Sequence, residues 1–164
     1  MNEYVARCLK KLKELGAPLE NWKCVDLIDT EVNDFECELC GCECVRYVHV
    51  MRHDEYPEPL KVGCLCAGVM EGDVLAAKER DRKLKNRAKR KRNFPKRKWK
   101  RAKSGSYYLR YRSRVVFINE SYGRYNCCCE GKRVYSYHNK PIYDFLSAVY
   151  AAFDLADPIK EALA

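Results

Sequence analysis

The sequence lacks a long apolar run and any internal repeat. Its first 18 residues, MNEYVARCLKKLKELGAP, contain no uninterrupted hydrophobic core of the kind that a signal peptide needs. No later window approaches the roughly 18 apolar residues of a membrane span. The missing repeat excludes solenoid and propeller folds. We therefore expect a soluble, unexported protein that resides in the cytoplasm and has no membrane partner.

The even set of cysteines that a disulfide framework needs is also absent. The chain has 11 cysteines, and in a reducing cytosol such residues serve more often as metal ligands and buried thiols than as disulfides. Four of them crowd into CELCGCEC, residues 37–44. This stretch supplies either four ligands of one metal, two ligands and two bystanders, or half of a two-metal cluster.

Surplus positive charge is confined to one short stretch. Residues 1–77 carry 8 basic and 15 acidic side chains, a net charge of −7. Residues 78–103 carry 16 basic and 2 acidic side chains, a net charge of +14. Residues 104–164 carry 8 basic and 6 acidic side chains, a net charge of +2. The middle block predicts a polyanionic partner without naming which polyanion it is.

The pattern of apolar and turn residues predicts an α+β protein of three segments. Residues 1–34 are expected to form an accessory helix, capped by Asn2, and a strand. Residues 35–98 predict a knuckle, a β-hairpin around HDEYPEP and a long basic helix with Asp73 as its N-cap. Residues 99–164 predict a three-stranded antiparallel sheet, from YYLRYR, VVFIN and RYNCCC, with one C-terminal helix over residues 141–156.

Two cysteine pairs predict one zinc site. Cys37 and Cys40 form a C-x2-C pair followed by Gly41, which can adopt the left-handed conformation that a zinc knuckle requires. Cys64 and Cys66 stand at the far end of the hairpin and complete a set of four thiolates. An iron–sulfur cluster accepts the same ligand set and is the alternative.

The other N-terminal cysteines are interpreted differently. Cys42 and Cys44 lie beyond the glycine, where their side chains should project along a strand. Cys8 and Cys24 are expected to be buried structural thiols. A second metal would draw on further candidate ligands, namely Cys42, Cys44, His49 and His53. His49 belongs to the opposite strand face from the two cysteines, which disfavours such a cluster.

The knuckle, the hairpin and a ligand pair at the start of a helix resemble the layout of treble-clef zinc fingers. In sequence, ECELCG, RYVHVM, HDEYP and VGCLCAGVMEGD resemble a family of uncharacterised small bacterial and phage-borne zinc-finger proteins. Those proteins share C-x2-C-G, R-Y-V-H, V-G-C-x-C-A and a Lys/Arg-rich helix followed by a Trp. The resemblance covers residues 35–92. It implies a treble-clef-like fold with zinc, and it implies no particular activity.

The treble clef is also the scaffold of the HNH endonucleases. The chain resembles the phage recombination endonucleases among them in its C-x2-C-G, its hairpin histidine and its cysteines before a helix. That resemblance implies His49, His53 and Asp54 as catalytic candidates, which would activate water and hold a cation at the scissile phosphate. The chain departs from the pattern because AGVM, without Asn or His, follows the second cysteine pair. We therefore favour a protein that is not an enzyme and keep a nuclease as the alternative.

Basic residues recur at helical spacings of three or four after Lys78, which predicts a stripe that tracks a phosphate backbone. A solvated linker helix is the alternative, and an anionic membrane is disfavoured because no opposed apolar face exists. The predicted nucleic-acid contacts come from this stretch and from the first C-terminal strand. They are Arg82, Lys85, Arg87, Lys89, Arg90, Arg92, Lys96, Arg97, Lys98, Lys100, Arg101, Arg110 and Arg112.

The first C-terminal strand predicts two unlike sheet faces. Tyr107 and Leu109 alternate with Tyr108 and Arg110, so one face should pack on the helix while the other is rich in Tyr and Arg. By the same alternation, the outer two cysteines of the run at 127–129 should be core thiols. Such a sheet on one helix resembles, in fold only, the DNA-binding domains of AP2 proteins and integrase arm-binding modules.

Together these features predict a zinc-stabilised nucleic-acid-binding protein of phage or mobile-element type, for which DNA and RNA are both open. The alternative from another class is a protein–protein adaptor, or an inhibitor of a host complex. Its recognition surfaces would be the acidic N-terminal region and the Tyr-rich sheet.

Overall fold

A computed structural model describes residues 2–164 of the protein. Within this range the chain has four α-helices and several antiparallel sheets, which confirms the predicted α+β class. It forms two units, one of residues up to Lys85 with Ile159–Ala164 and one of Asn86–Pro158. The predicted boundaries at 34/35 and 98/99 are not where the structure divides. None of the described helices is long and apolar enough to cross a membrane.

The first unit is built on a three-stranded sheet of order β1-β2-β3. Its elements are α1 (Glu3–Glu14), β1 (Lys23–Asp29), β2 (Tyr47–Arg52), β3 (Leu60–Val62), α2 (Cys64–Glu71), the first part of α3 (Val74–Asn93) and a 3-10 turn at Ile159–Leu163. The predicted hairpin is β2 with β3, where His49 pairs with Val62. The predicted N-terminal strand, β1, extends the hairpin sheet because it pairs antiparallel with β2. The segment predicted to be accessory is therefore part of the main sheet.

Side-chain caps set the starts of two helices in this unit. The Asn2 carboxamide oxygen accepts from the Val5 N–H at 2.8 Å, and the Asp73 carboxylate accepts from the Ala76 N–H at 3.0 Å. Both predicted N-caps are confirmed. Gly72, in the left-handed region at φ +74°, ends α2 before α3 begins. The helix that carries Cys64 and Cys66 is thus separate from the basic helix.

The second unit has a five-stranded antiparallel sheet of order β4-β5-β6-β7-β8. Its elements are the end of α3, a 3-10 turn at Phe94–Lys96, β4 (Lys100–Arg101), β5 (Tyr107–Tyr111), β6 (Arg114–Ser121), β7 (Arg124–Cys129), β8 (Lys132–Val134), β9 (Ser136–Tyr137), β10 (Lys140–Pro141) and α4 (Phe145–Ala156). The three predicted strands are β5, β6 and β7. Two short edge strands, too brief to show an alternating pattern, enlarge the predicted three-stranded sheet.

The last helix begins four residues later than predicted. Pro141 belongs to β10, which pairs with β9, and Ile142 bridges to Tyr125. Asp144 is the N-cap of α4, since its carboxylate accepts from the Ser147 N–H at 2.8 Å. The proline therefore lies in a strand before the helix and not in its first turn.

The two faces of the large sheet differ as the alternation predicts. Val116, Ile118 and Cys127 are fully buried, at 0% exposure, and pack in the core with α4. Phe117 lies on the opposite face and is 37% exposed. Because β5 to β8 keep an unbroken register, cross-strand partners share one face throughout the sheet.

Candidate functional site

The CELCGCEC stretch folds into a tight loop closed at both ends. Phe35 and Val45 exchange backbone hydrogen bonds at 3.0 and 3.1 Å. Inside the loop, the Cys37 N–H donates to the Cys42 carbonyl at 2.8 Å, and the Gly41 N–H donates to the Cys37 carbonyl at 3.0 Å. Gly41 has φ +77°, the left-handed conformation predicted for it. The turn holds the first two predicted ligands in place.

Three of the four predicted ligands meet in space. The sulfur atoms of Cys37, Cys40 and Cys66 all lie within 4.8 Å of one another. Cys37 and Cys66 are buried, whereas Cys40 is exposed. Cys66 comes from the first turn of α2, across the hairpin from the loop. Three thiolates at these separations form a ligand set suited to a soft or borderline metal ion.

The surroundings of Cys37 favour its thiolate form. A hydrogen bond from the Cys66 thiol is the largest influence and lowers the pKa of Cys37 to about 5, against the opposing effect of burial. The Gly63 N–H also donates to the Cys37 sulfur, at 3.4 Å. The pKa of Cys66 is raised, chiefly because its thiol is the donor to Cys37. A metal ligand must be deprotonated, and the loop prepares one cysteine for this role.

Cys64, the fourth predicted ligand, does not join this group. Its sulfur lies instead within 4.8 Å of ligand atoms of His49 and Asp81. Burial, followed by the nearby Asp81 carboxylate, raises the pKa of Cys64 to about 11. Cys64 and Cys66 are two residues apart on a helix, so their side chains point in different directions. The predicted C-x-C pair is therefore divided between two clusters.

His49 is the centre of a buried polar network. It is 0% exposed, and its Nε2 lies 3.4 Å from the Asp81 carboxylate. The Arg80 Nε donates to His49 Nδ1 at 3.4 Å, while the Arg80 guanidinium also binds Glu71 at 2.6 and 3.2 Å. Since an arginine can only donate, His49 Nδ1 is the acceptor and Nε2 carries the proton toward Asp81. Both ring nitrogens of the histidine are thus engaged.

The other nuclease candidates lie apart from any ligand cluster. His53 is in the hairpin loop, where its ring packs against Trp22 at 5.4 Å and its Nδ1 accepts from the Glu55 N–H at 3.0 Å. Asp54, beside it, is exposed. Among residues 2–164, neither belongs to a group of three potential metal ligands, and the same holds for Cys42 and Cys44. The described residues therefore do not bring together the second metal cluster that the sequence pattern disfavoured.

Sequence reasoning missed the roles of three residues at these clusters. Cys8, interpreted as a structural thiol, has its sulfur 3.8 Å from that of Cys66. Tyr4, one helical turn earlier in α1, places its hydroxyl 2.7 Å from the same sulfur. Asp81, counted as one of two acids in a basic stretch, faces His49 and Cys64. The only sequence signal was the position of Cys8 on the apolar stripe of α1, four residues before Leu12.

Seven of the thirteen predicted nucleic-acid contacts bind other parts of their own unit. Asp157, 1% exposed, accepts from Arg90 at 2.7 and 3.0 Å and pairs with Arg112 at 3.2 Å. Arg87 is only 7% exposed and pairs with Asp154 at 2.8 Å, so its prediction as a phosphate contact is corrected. The other engaged residues are Arg82 with Glu79, Lys85 with Asp81, Arg97 over the Tyr111 ring, and Arg101 over the Tyr107 ring.

The other six predicted contacts are exposed, and no hydrogen bond or ion pair engages their side chains within residues 2–164. All six lie in the second unit. We call them the basic group: Lys89, Arg92, Lys96, Lys98, Lys100 and Arg110.

The outer face of the five-stranded sheet adjoins this basic group. Lys100 on β4 is the cross-strand partner of Tyr108, which is in turn the partner of Phe117, and the two rings lie 6.2 Å apart. A row of hydrogen-bonded polar side chains crosses the same face. Ser106 donates to Asn119 at 2.5 Å, Asn119 donates to Asn126 at 3.0 Å, and Arg133 donates to Asn126 at 2.5 Å. The face therefore combines cations, aromatic rings and hydrogen-bonding groups.

Comparison of the chain with protein-family models, with curated proteins and with solved structures gave no match.

Proposed function

We propose that the protein is a zinc-stabilised nucleic-acid-binding protein, of the kind carried by phages and mobile elements. Its first unit holds zinc at Cys37, Cys40 and Cys66 in a treble-clef-like arrangement of knuckle, hairpin and helix. Its second unit binds the nucleic acid. The observation that carries this proposal is the basic group, whose six cations are exposed and have no protein partner within residues 2–164.

Zinc is the metal that the ligand chemistry favours. Structural zinc sites use cysteine thiolates in a tetrahedral arrangement, and a left-handed glycine after C-x2-C is typical of them. The lowered pKa of Cys37 supports deprotonation of at least one ligand near neutral pH. Because bound metal links the loop at 37–41 to α2, its binding free energy contributes directly to the stability of the first unit.

The basic group supports phosphate binding because its charges are not neutralised within the protein. Lys96, Lys98 and Lys100 follow one another at alternate positions, flanked by two more cations at the end of α3. Exposed cations that lack partners repel one another, and phosphates relieve that repulsion. Engaged residues such as Arg87 and Arg90 stabilise the unit and should contribute little to binding.

The outer sheet face supports binding of a single strand. Tyr108 is half-buried and Phe117 is 37% exposed, and both offer ring faces on which a base can stack. Arg110 lies on the same strand face as Tyr108 and supplies charge for the backbone. Of the residues on this face in β4 to β8, none is acidic.

The endonuclease alternative has less support. A general base must reach a water molecule and the scissile phosphate, whereas His49 is 0% exposed and both of its ring nitrogens are engaged. His53 is closer to the surface, but no group of three potential ligands within residues 2–164 includes it. The binding function therefore remains the better proposal.

The test is a salt titration of oligonucleotide binding by fluorescence anisotropy. Fluorescent single-stranded and duplex DNA and RNA are titrated with the wild type, with the basic triple variant Lys96→Gln/Lys98→Gln/Lys100→Gln and with the control Lys10→Gln/Lys13→Gln/Lys23→Gln. The control removes the same charge from exposed positions of the first unit. We expect log K to fall linearly with log salt. The magnitude of this slope should be about 3 smaller in the basic triple variant, because each of its three lost phosphate contacts contributes about 0.9.

We expect the basic variant also to lose at least about 10-fold in affinity at 0.15 M salt. The control should keep the wild-type slope. A flat salt dependence of the wild type, or equal losses in both variants, would overturn the proposal. A protein partner that survives nuclease treatment in a pull-down would then favour the adaptor.

A further inference from the structure

We infer that Cys8 is the fourth thiolate ligand of the cluster formed by Cys37, Cys40 and Cys66, and that Cys64 is not a ligand. The metal would then bind α1 directly, and the N-terminal helix would be part of the metal site. This inference rests on the metal binding proposed above, but it assigns a ligand that the spacing of the cysteine pairs does not indicate.

The distance between the sulfurs of Cys8 and Cys66 is the first argument. It is 3.8 Å, with both residues buried at 2% and 1% exposure. In a tetrahedral site with Zn–S bonds of about 2.3 Å, two sulfur ligands are separated by about 3.8 Å. The observed separation therefore equals that of two ligands on one zinc ion. A disulfide, with its S–S bond of about 2.0 Å, does not fit this distance.

Cys8 also borders a cavity beside one of the other ligands, although its sulfur is not within 4.8 Å of all three sulfurs of the cluster. One cavity is lined by Cys8, Tyr4 and Arg7 from α1 and by Leu39, Cys40, Gly41 and Cys42 from the knuckle loop. The Cys8 side chain thus borders the same space as Cys40, the exposed member of the cluster. Arg7 adds a positive charge beside a four-thiolate site, whose net charge with a divalent ion is −2.

Helix α1 holds Cys8 in this position by ordinary packing. Asn2 caps the helix, and Cys8 and Leu12 are its two buried residues. Both belong to the core cluster that contains Trp22 and Leu39. The Tyr4 hydroxyl, 2.7 Å from the Cys66 sulfur, supplies a hydrogen bond of the kind that orients metal ligands from outside.

Cys64 is held away by a different set of contacts. Its neighbours are His49 and Asp81, and the proton on His49 Nε2 points toward that same carboxylate. A metal ion at this second cluster would need the Nε2 lone pair, while Arg80 requires that Nδ1 remain the acceptor. Hydrogen bonds thus join His49 to Asp81 and Arg80, and the Cys64 sulfur lies with this second cluster and not with the first.

Cobalt substitution tests this assignment, because thiolate-to-cobalt absorption reports the number of sulfur ligands. The titration compares the wild type, Cys64→Ser, Cys8→Ser and Cys24→Ser, which removes a partly buried thiol from outside the cluster. We expect a four-thiolate spectrum for the wild type, for Cys64→Ser and for Cys24→Ser. Cys8→Ser should keep about three quarters of the charge-transfer absorption and bind zinc at least about 100-fold more weakly, as loss of a direct ligand exceeds that of an outer partner.

The Cys64→Ser spectrum tests the exclusion of Cys64 even if Cys8→Ser fails to fold. A fall to three thiolates in Cys64→Ser would overturn the inference, and so would an unchanged four-thiolate spectrum in Cys8→Ser. Cys8→His should restore one cobalt per chain with a spectrum of three sulfurs and one nitrogen. If the wild type binds neither cobalt nor zinc, the proposed metal binding itself is wrong. That result differs from a fall to three thiolates in Cys64→Ser, which overturns only the choice of the fourth ligand.

Discussion

The two units of this protein use the same residue types in opposite ways. In the first, cysteines that are far apart in sequence converge, since Cys8, Cys37 and Cys66 come from a helix, a loop and a second helix. In the second, Cys127 and Cys129 lie two positions apart on one strand face but remain separate core thiols. A tight turn and a helix start direct side chains to one point, whereas a strand spaces the side chains of one face about 7 Å apart. Backbone geometry, more than cysteine density, therefore decides which thiols can share a metal.

Charge differs between the units in a similar way. In the first unit, an arginine pairs with Glu71 and also binds the buried His49. In the second, Asp157 pairs with two arginines and accepts a hydrogen bond from Tyr111, while the basic group remains exposed. Under the proposed function, the first unit depends on a metal and the second binds a polyanion.

Loss of the metal should have the largest effect. We expect Cys37→Ser, or removal of the metal with a chelator, to unfold the first unit, because structural zinc contributes on the order of 10 kcal/mol to such folds. Hydrogen exchange should then lose protection in β1 to β3 and keep it in β5 to β7. The control Cys42→Ser removes an exposed thiol outside the cluster and should leave protection unchanged. Simultaneous loss in both units would contradict the division.

The second unit should depend on Asp157 instead. We expect Asp157→Asn to lower its free energy of unfolding by about 3 kcal/mol, the low end for a broken buried ion pair, because Arg90 and Arg112 retain access to water. The partly exposed Asp154 is the matched control, and Asp154→Asn should cost about 1 kcal/mol. Denaturant unfolding followed through Trp99, in a Trp22→Phe background, measures both. Equal effects of the two substitutions would show that burial of Asp157 is unimportant.

The same carboxylate should make the second unit sensitive to acid. Burial opposes ionisation of Asp157, but hydrogen bonds from Arg90 and Tyr111 outweigh it and hold the pKa below its usual range. Its stabilisation is thus fully present above the unfolded pKa of about 3.9 and is lost as the pH falls through the lower folded pKa. Unfolding of the wild type should show this loss below about pH 4, and Asp157→Asn should show less of it.

The outer sheet face should give a smaller effect, seen only in binding. We expect Tyr108→Ala to weaken single-strand binding by about 1–3 kcal/mol, the contribution of one stacked base, with a lesser effect on duplex binding. Tyr122→Ala is the control because Tyr122 is fully exposed in a turn away from the ring pair. Anisotropy titrations at constant salt measure both variants. Equal losses on single strands and duplexes would argue against base stacking.

Local features of this fold were predictable from the sequence. The caps at Asn2 and Asp73, the left-handed Gly41 and the alternation of β5 to β7 depend on residues a few positions apart. Each of these predictions is confirmed because backbone geometry and hydrogen bonding over a short span determine it. The pairing of Cys37 with Cys40 in one turn belongs to the same class.

Long-range features were not predictable in this way. The contact between Cys8 and Cys66 joins residues 58 positions apart, and the pairs of Arg87 with Asp154 and of Arg90 with Asp157 each span 67 positions. Spacing placed Cys64 with Cys66, but tertiary packing directs the two sulfurs into different clusters. Counting basic residues likewise overestimated how many cations are exposed and unpaired, and so available to a polyanion.

The affinity of Cys37→Ser for a labelled oligonucleotide tests the division between the units most directly. If the first unit holds the metal and the second unit binds the nucleic acid, the variant should lose its metal and yet bind within about threefold of the wild type at about 0.15 M salt. A loss of more than about 10-fold, with the second unit still folded by hydrogen exchange, would contradict the account.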